Sequence, residues 1–318
     1  GYLFHAGPSE RMHWIDVSGT GSIVDAGLRA DDTYSMKGTT VMFDIGRILK
    51  VGGAESYGDS DLVGAPPAKD NSYVIDLNGV AYGASPTVTQ TVNNLEFSRT
   101  MHNSTVLPNG EVLVTGGLDH AEVFTDDGAR LTAEIYNPDT NSWRSVAGMQ
   151  TARTYHSVGI LMIDGRVFVG GGGLCDSSNL DECYNHFDAE IYSPPYLFNP
   201  DGSLATRPTI SAPATADYNT SINVTGSTDI QEFSLIRFSA ATHSTNNEQR
   251  RIPVTFSGTP GDYSVDIPGR ELLPPGYYML FAIDSNGVPS VAEAVQIGSD
   301  IPLSNNPSLV LDVKFDEG

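Results

Sequence analysis

Three stretches of this 318-residue chain share one plan: TTVMFDIGRILKVGG (39–53), NSTVLPNGEVLVTGG (103–117) and SVGILMIDGRVFVGGGG (157–173). Each is a β-branched, apolar run, a turn on a glycine, a second such run and a glycine pair. The PNG and IDG turns carry residues suited to positive φ. Gly52–Gly53, Gly116–Gly117 and Gly170–Gly171 fall at matching points, 64 and 54 residues apart. A glycine pair at a strand end serves where backbones approach too closely for a Cβ. After each pair comes a variable loop and then an outer strand: NSYVIDL, LTAEIYNPDTNSW or HFDAEIYSPP. No helix is expected after GGGGLC, which argues against a phosphate-binding loop.

Repeats of this length and content predict one four-stranded blade each, in a kelch-type β-propeller. Residues 1–30 read as the outer part of an earlier blade, so three complete blades and a partial one are expected. Propellers close with four to eight blades, and an open arc would expose sheet edges. The chain is therefore expected to be the C-terminal part of a larger propeller, its true start lying upstream. The expected fold class is all-β, with blades over 1–205. Beyond Thr206 the glycine pairs stop. FSLIRFSAATHS, RIPVTFSG, DYSVDIPG, GYYMLFAIDSNGVPS and AEAVQIG predict an immunoglobulin-like β-sandwich over 206–298. Residues 299–318 read as a linker and the opening strand of a possible further β module.

The net charge is −22. Such a surface repels nucleic acid and anionic lipid, and the acidic residues are scattered rather than gathered in a tail. A secreted, extracellular protein adapted to its medium fits that charge. With 39% hydrophobic residues the chain is globular, and no run of 18 apolar residues marks a membrane span. The two cysteines, Cys175 and Cys183, close a short loop. A local disulfide, and hence an oxidising compartment, is the expected state; a free reactive thiol is the alternative.

Two blade starts invite comparison: RTMHNS (99–104) and RTYHS (153–157). Arg, Thr and His recur, which favours a structural hydrogen bond for the histidine. What differs is Tyr155, where the other blade has Met101. Neighbouring strand residues point to opposite faces, so Tyr155 and His156 share a metal only where the strand bends. A third candidate, His243, lies in the polar run THSTNNEQRR, which suits a hairpin reaching out of its own domain. Two imidazoles and a phenolate suit copper. A zinc hydrolase would need three His or carboxylate ligands and a base, and no HExxH spacing is present. Trp14 and Trp143 read as blade-packing aromatics. His186 reads as a hydrogen-bonded structural residue. Asn103, Asn219 and Asn223 sit in glycosylation sequons.

Over nearly its whole length the chain resembles the copper radical oxidase family, the galactose oxidase and glyoxal oxidase group. The matching runs are AGPSERMHW, LPNGEVLVTGG, RTYHS with DGRVFVGGGGLC, NHFDAEIYSPPYLFNPDGSLATRP, SLIRFSAATHSTNNEQRRIP and LPPGYYMLFAIDSNGVPSVA. The resemblance implies that a primary alcohol (or aldehyde) is oxidised by O2, giving an aldehyde (or acid) and H2O2. It implies that His156, His243 and Tyr155 ligate copper, with Tyr155 taking the substrate's hydroxyl proton. It implies a structural disulfide between Cys175 and Cys183. Phe124 and Tyr57 match substrate-pocket aromatics, and Met101 stands at a third pocket position. Two positions depart from the pattern: Gly58 replaces a sugar-contacting glutamine, and Met101 replaces a phenylalanine. The family's second cofactor is a tyrosyl radical on a Tyr–Cys crosslink, expected upstream of Gly1, so these 318 residues alone are expected to be inactive. The expected partners are a small alcohol or carbohydrate and O2, acting on a monomer. A non-catalytic kelch propeller binding carbohydrate or protein is the rival reading. A sialidase is excluded by the absence of SxDxGxTW repeats.

Overall fold

The computed structural model describes residues 2–56, 65–173 and 185–298. Tyr57, Gly58, Cys175, Cys183 and residues 299–318 lie outside the described residues. The described part is all-β, and its one helical piece is a short 3-10 turn at Pro195–Leu197. No helix among the described residues is long and apolar enough to cross a membrane.

Residues 2–192 form four antiparallel sheets. The first holds β1 (Tyr2–His5), β2 (Arg11–Asp16) and β3 (Ser22–Leu28). The second runs β4 (Thr39–Asp44), β5 (Arg47–Val51), β6 (Ser72–Asp76) and β7 (Thr87–Gln90). The third runs β8 (Thr100–Val106), β9 (Val112–Leu118), β10 (Ala133–Asn137) and β11 (Ser142–Val146). The fourth has β12 (Val158–Leu161), β13 (Val167–Gly170) and β14 (Ala189–Tyr192). Three complete blades were expected. The described residues give two of four strands and two of three, because nothing after β14 continues its sheet.

The glycine pairs have a clear physical cause. A Cβ at Gly52 would lie 2.4 Å from the Arg99 carbonyl oxygen, and one at Gly116 only 2.1 Å from that of Arg153. The next glycine donates its N–H to the same oxygen: Gly53 to Arg99 and Gly117 to Arg153, each at 2.8 Å. Each blade is thereby bonded to the Arg that opens the next. The third pair is shifted from expectation. Gly171 and Gly172 take the positive φ values, 72° and 128°, whereas Gly170 stays in the strand. The opening arginines are fully buried. Arg99 is held by Glu134 (2.6 Å) and by the Gly116 and Thr132 carbonyls. Unpaired, such a charge would cost several kcal/mol. Trp14 and Trp143 are buried, and Trp143 donates to Ser72 of the neighbouring sheet at 2.7 Å.

The second half contains β15 (Ile210–Ser211), β16 (Thr215–Ala216), β17 (Thr220–Gly226) and β18 (Ile230–Arg237). A small hairpin follows, β19 (Ala241–Thr242) with β20 (Thr245–Asn246). Then come β21 (Arg251–Val254), β22 (Phe256–Thr259), β23 (Asp262–Ile267), β24 (Gly276–Asp284) and β25 (Glu293–Ile297). Two sheets, β15-β17-β23-β22 and β16-β25-β24-β18-β21, enclose one core. β24 is buried on both faces from Tyr278 to Ile283. Tyr278, Leu280 and Ala282 enter the sandwich core, whereas Met279, Phe281 and Ile283 join the core of the blades. The period-2 alternation of a strand thus joins the two halves.

Candidate metal centre

The two blade starts part company after their shared Arg-Thr. In the third sheet β8 already begins at Thr100, and His102 pairs with Gly116. In the fourth sheet the strand begins only at Val158, and Tyr155–His156 occupy a turn. The partner segment explains this. Where β9 has Thr115, Gly116, Gly117 and Leu118, the fourth sheet has four glycines, Gly170–Gly173, and its ladder stops at Gly170. Glycine is a poor ladder former. The freed turn bends, with His156 at φ 69°. That is the bend by which adjacent residues can turn to one side.

The His243 hairpin meets them from the other half. Its turn residue Ser244 donates N–H to the Ser157 carbonyl (3.0 Å) and Oγ–H to the Thr154 carbonyl (3.2 Å). Buried Gln249 bonds both Val106 N–H (3.0 Å) and the Ser104 carbonyl (2.6 Å). Arg251 donates to the Pro108 carbonyl at 2.8 Å. These anchors stand His243 against the blade starts. The Tyr155 and His156 ring centroids are 4.0 Å apart, those of His156 and His243 4.5 Å, and those of Tyr155 and His243 5.6 Å. Phe124 lies edge-on to Tyr155 at 5.4 Å.

Nδ1 of His156 lies 3.0 Å from the Gly173 carbonyl, which only accepts, so Nδ1 carries a hydrogen and donates it. Nδ1 of His243 is 2.7 Å from Thr242 Oγ1. Nine non-glycine residues among those described have positive φ. Six of them, Lys37, Met101, Phe124, His156, His243 and Ser244, lie in or beside this cluster. Such conformations cost about 1–3 kcal/mol each and gather where function requires them.

A cavity of about 630 Å³ opens beside the rings, with Phe124, Tyr155 and His243 in its wall. Met101 does not line it. It is buried with Ala54, Leu118 and Ala121, with Tyr155 packed against that cluster. Met101, expected at a substrate-pocket position, is packed into the blade among the described residues. Asn103 is likewise withdrawn as a glycosylation site, being buried and donating to Ser157 Oγ at 2.8 Å. His186 is bonded to Asp126 (2.8 Å) and stands apart from the ring cluster.

Sequence reading missed three things. Gly173 orients His156, and the Ser244–Gln249 anchors dock the hairpin. Lys50, the third, lies buried between Leu49 and Val51, where a strand hidden on both faces forces any lysine to find a partner. It finds Asp32 at 2.7 Å. That break in an apolar run was a usable signal; the other two were not visible in residue types.

Both halves of the chain resemble known proteins. Residues 207–297 match the galactose oxidase-like early set domain, and residues 99–150 match the kelch motif. The chain is 41% identical to galactose oxidase of Gibberella zeae over 93% of its own length and 43% of that protein's. It is 31% identical to aldehyde oxidase GLOX1 of Arabidopsis thaliana over 63% of its length and 36% of that protein's. A solved fungal alcohol oxidase of the AA5 family, in complex with copper, superposes with a TM-score of 0.86 at 36% identity. That match covers 93% of this chain and 61% of the other. The chain thus spans less than half the length of these curated relatives. In sequence and in fold it is a relative of the galactose oxidase group of copper oxidases.

Proposed function

We propose that residues 1–205 supply kelch blades and residues 206–298 the early-set sandwich of a secreted copper oxidase, which turns a primary alcohol or aldehyde over with O2. The observation that carries this reading is the ring cluster of Tyr155, His156 and His243, drawn from both halves of the chain. In this reading the Tyr155 oxygen is the third donor beside the two imidazoles, its ring lying 4.0 Å and 5.6 Å from theirs. Two imidazoles and a phenolate oxygen fit Cu(II). The hydrogen bond to Gly173 fixes which nitrogen of His156 is offered, as outer partners of metal-bound histidines do. A bound copper supplies one-electron redox chemistry and activation of a hydroxyl oxygen.

In this reading Tyr155 is placed to accept the substrate's hydroxyl proton, since it shares the cavity wall with Phe124. Phe124 gives the substrate's carbon skeleton an apolar face against which to orient. In this reading the second redox group is the Tyr–Cys tyrosyl radical that the resemblance implies. An extracellular location fits the net charge of −22 and the two cysteines.

The test is copper uptake by the chain, measured by equilibrium dialysis and by the spin-resonance signal of Cu(II) with nitrogen ligands. One copper per chain is expected, lost in His243→Ala. Equal uptake by the variant would refute the assignment.

A further inference from the structure

Phe124 forms an apolar part of the cavity wall, and its backbone is held in an unfavourable place. It lies in the loop between β9 and β10, 38% exposed, with φ 64°. A bulky residue in that conformation relaxes unless its surroundings fix it. Backbone bonds fix the two ends of the loop. Ala68 N–H donates to the Asp119 carbonyl and Ala121 N–H to that of Pro66, each at 2.8 Å, and Arg130 N–H returns to the Gly117 carbonyl at 2.9 Å. The middle is different. From Glu122 to Asp127, among the described residues, one hydrogen bond leaves the loop: His186 Nε2 donates to Asp126 Oδ2 at 2.8 Å. The others run to His120, Thr125 and Ala129, inside it. Asp126 Oδ1 is buried without a partner, so the carboxylate is held through His186. A bond from N–H to a charged oxygen is of the stronger kind. His186 in turn donates its own backbone N–H to the Gly172 carbonyl at 3.3 Å. Next to it, Gly173 gives N–H to the Tyr155 carbonyl at 2.8 Å and accepts from His156 Nδ1 at 3.0 Å. The circuit closes through the rings, since Phe124 lies 5.4 Å from Tyr155 and 5.9 Å from His156.

We propose that His186 and Asp126 are positioning residues, whose bond sets where the Phe124 ring lies over Tyr155 and His156. The bond comes from the segment that also orients His156, so the apolar wall and the imidazole share one support. What this means for a substrate rests on the oxidase reading above; the placement of the ring does not. Without the bond the middle of the loop loses its outside tie, and Phe124 is free to leave φ 64° and uncover Tyr155. The two side chains are 21% and 26% exposed, and neither belongs to the core of the blades or of the sandwich. Substitution there removes a loop contact and leaves both cores intact.

The probe is tetranitromethane, which nitrates accessible tyrosines, applied to the metal-free chain with the sites read by peptide mass spectrometry. His186→Ala and Asp126→Ala are each expected to nitrate Tyr155 at least about fivefold faster than wild type, the ratio that loss of one hydrogen bond allows. Tyr277, 58% exposed on the sandwich, should react at an unchanged rate. His186→Gln keeps an N–H donor and should stay near wild type, a rescue that a general loosening would not show. Phe124→Ala should match His186→Ala, and the double variant should go no further, because both act through one ring. An unchanged Tyr155 rate in the two alanine variants, a rise shared by Tyr277, no rescue by His186→Gln, or additive effects in the double variant each overturns the proposal. Should His186→Ala fail to fold, Asp126→Ala and His186→Gln still decide. Copper uptake by wild type and His243→Ala separates the two ideas. Uptake lost in His243→Ala, with Tyr155 indifferent to Asp126 and His186, sinks this proposal alone. Uptake indifferent to His243, with the Tyr155 response as expected, sinks the oxidase reading alone.

Discussion

The blade starts at Arg99 and Arg153 begin with the same two residues and end in different chemistry. His102 is wholly buried, bonded through Nε2 to Thr39 Oγ1 at 2.9 Å, and its Nδ1 has no partner. Burial pushes its pKa down to about 3. His156, two strand positions short of its own ladder, stands beside a second imidazole, that of His243. The histidine is the same in both places. What changes is the partner segment, four glycines in place of Thr115–Leu118. A repeat can therefore bring its histidine out of the sheet by losing sheet structure, without any change in the histidine itself.

The sharpest way to break this comparison is to exchange three histidines for alanine, one at a time. His243→Ala or His156→Ala is expected to weaken copper binding by at least about 100-fold, since removing even an outer partner costs 10–100-fold. His102→Ala should leave copper binding untouched. Equilibrium dialysis of the three proteins decides the matter.

The next largest effect concerns the glycines. Gly52→Ala and Gly116→Ala both force a Cβ onto a carbonyl oxygen at positive φ, φ 53° and φ 70°. Each is expected to cost about 2–3 kcal/mol in urea unfolding. Only Gly116→Ala presses on Arg153, two residues before Tyr155, so only it should also lower copper affinity. Equal copper loss in both would mean that the damage is global.

His102→Asn is expected to cost about 1–3 kcal/mol at neutral pH, the penalty for disturbing a buried hydrogen bond. The pH dependence sharpens this. The folded pKa lies below the unfolded value of 6.5, so between them the unfolded chain binds the extra proton. Stability from this neutral histidine is complete above pH 6.5 and declines as pH falls toward about 3. Wild type should show a steeper acid loss than His102→Asn in denaturant titrations across that window. Parallel slopes would count against a buried neutral ring. Smallest of all, Met101→Leu conserves buried volume and should cost under about 1.5 kcal/mol, with copper uptake unchanged.

Much of this was legible before any coordinates. The glycine pairs announced the blades because a φ near +70° against a neighbour's carbonyl admits no other residue. The sandwich was legible from alternation in runs such as GYYMLF, although β24 proved buried on both sides, which alternation alone does not reveal. Tyr155, His156 and His243 were named from likeness to a family, because nothing in their spacing brings positions 156 and 243 together. The third complete blade was expected to have four strands, and among the described residues its sheet has three, because strand runs in the sequence do not say which sheet each one joins. The anchors at Ser244 and Gln249 look like any polar loop until the second domain is in place.

The docking of the His243 hairpin bears on how such proteins can be recombined. A crossover at residue 206, the natural seam between blades and sandwich, would keep two sound cores. It would also part His243 from His156, Gln249 from the Ser104 carbonyl, and Met279, Phe281 and Ile283 from the blade core they complete. A chimera of two relatives joined there would inherit a working centre only if both parents shared the hairpin, its anchors and the outer face of β24. In such a lineage the unit passed on intact is the interface, and the domains on either side are free to diverge around it.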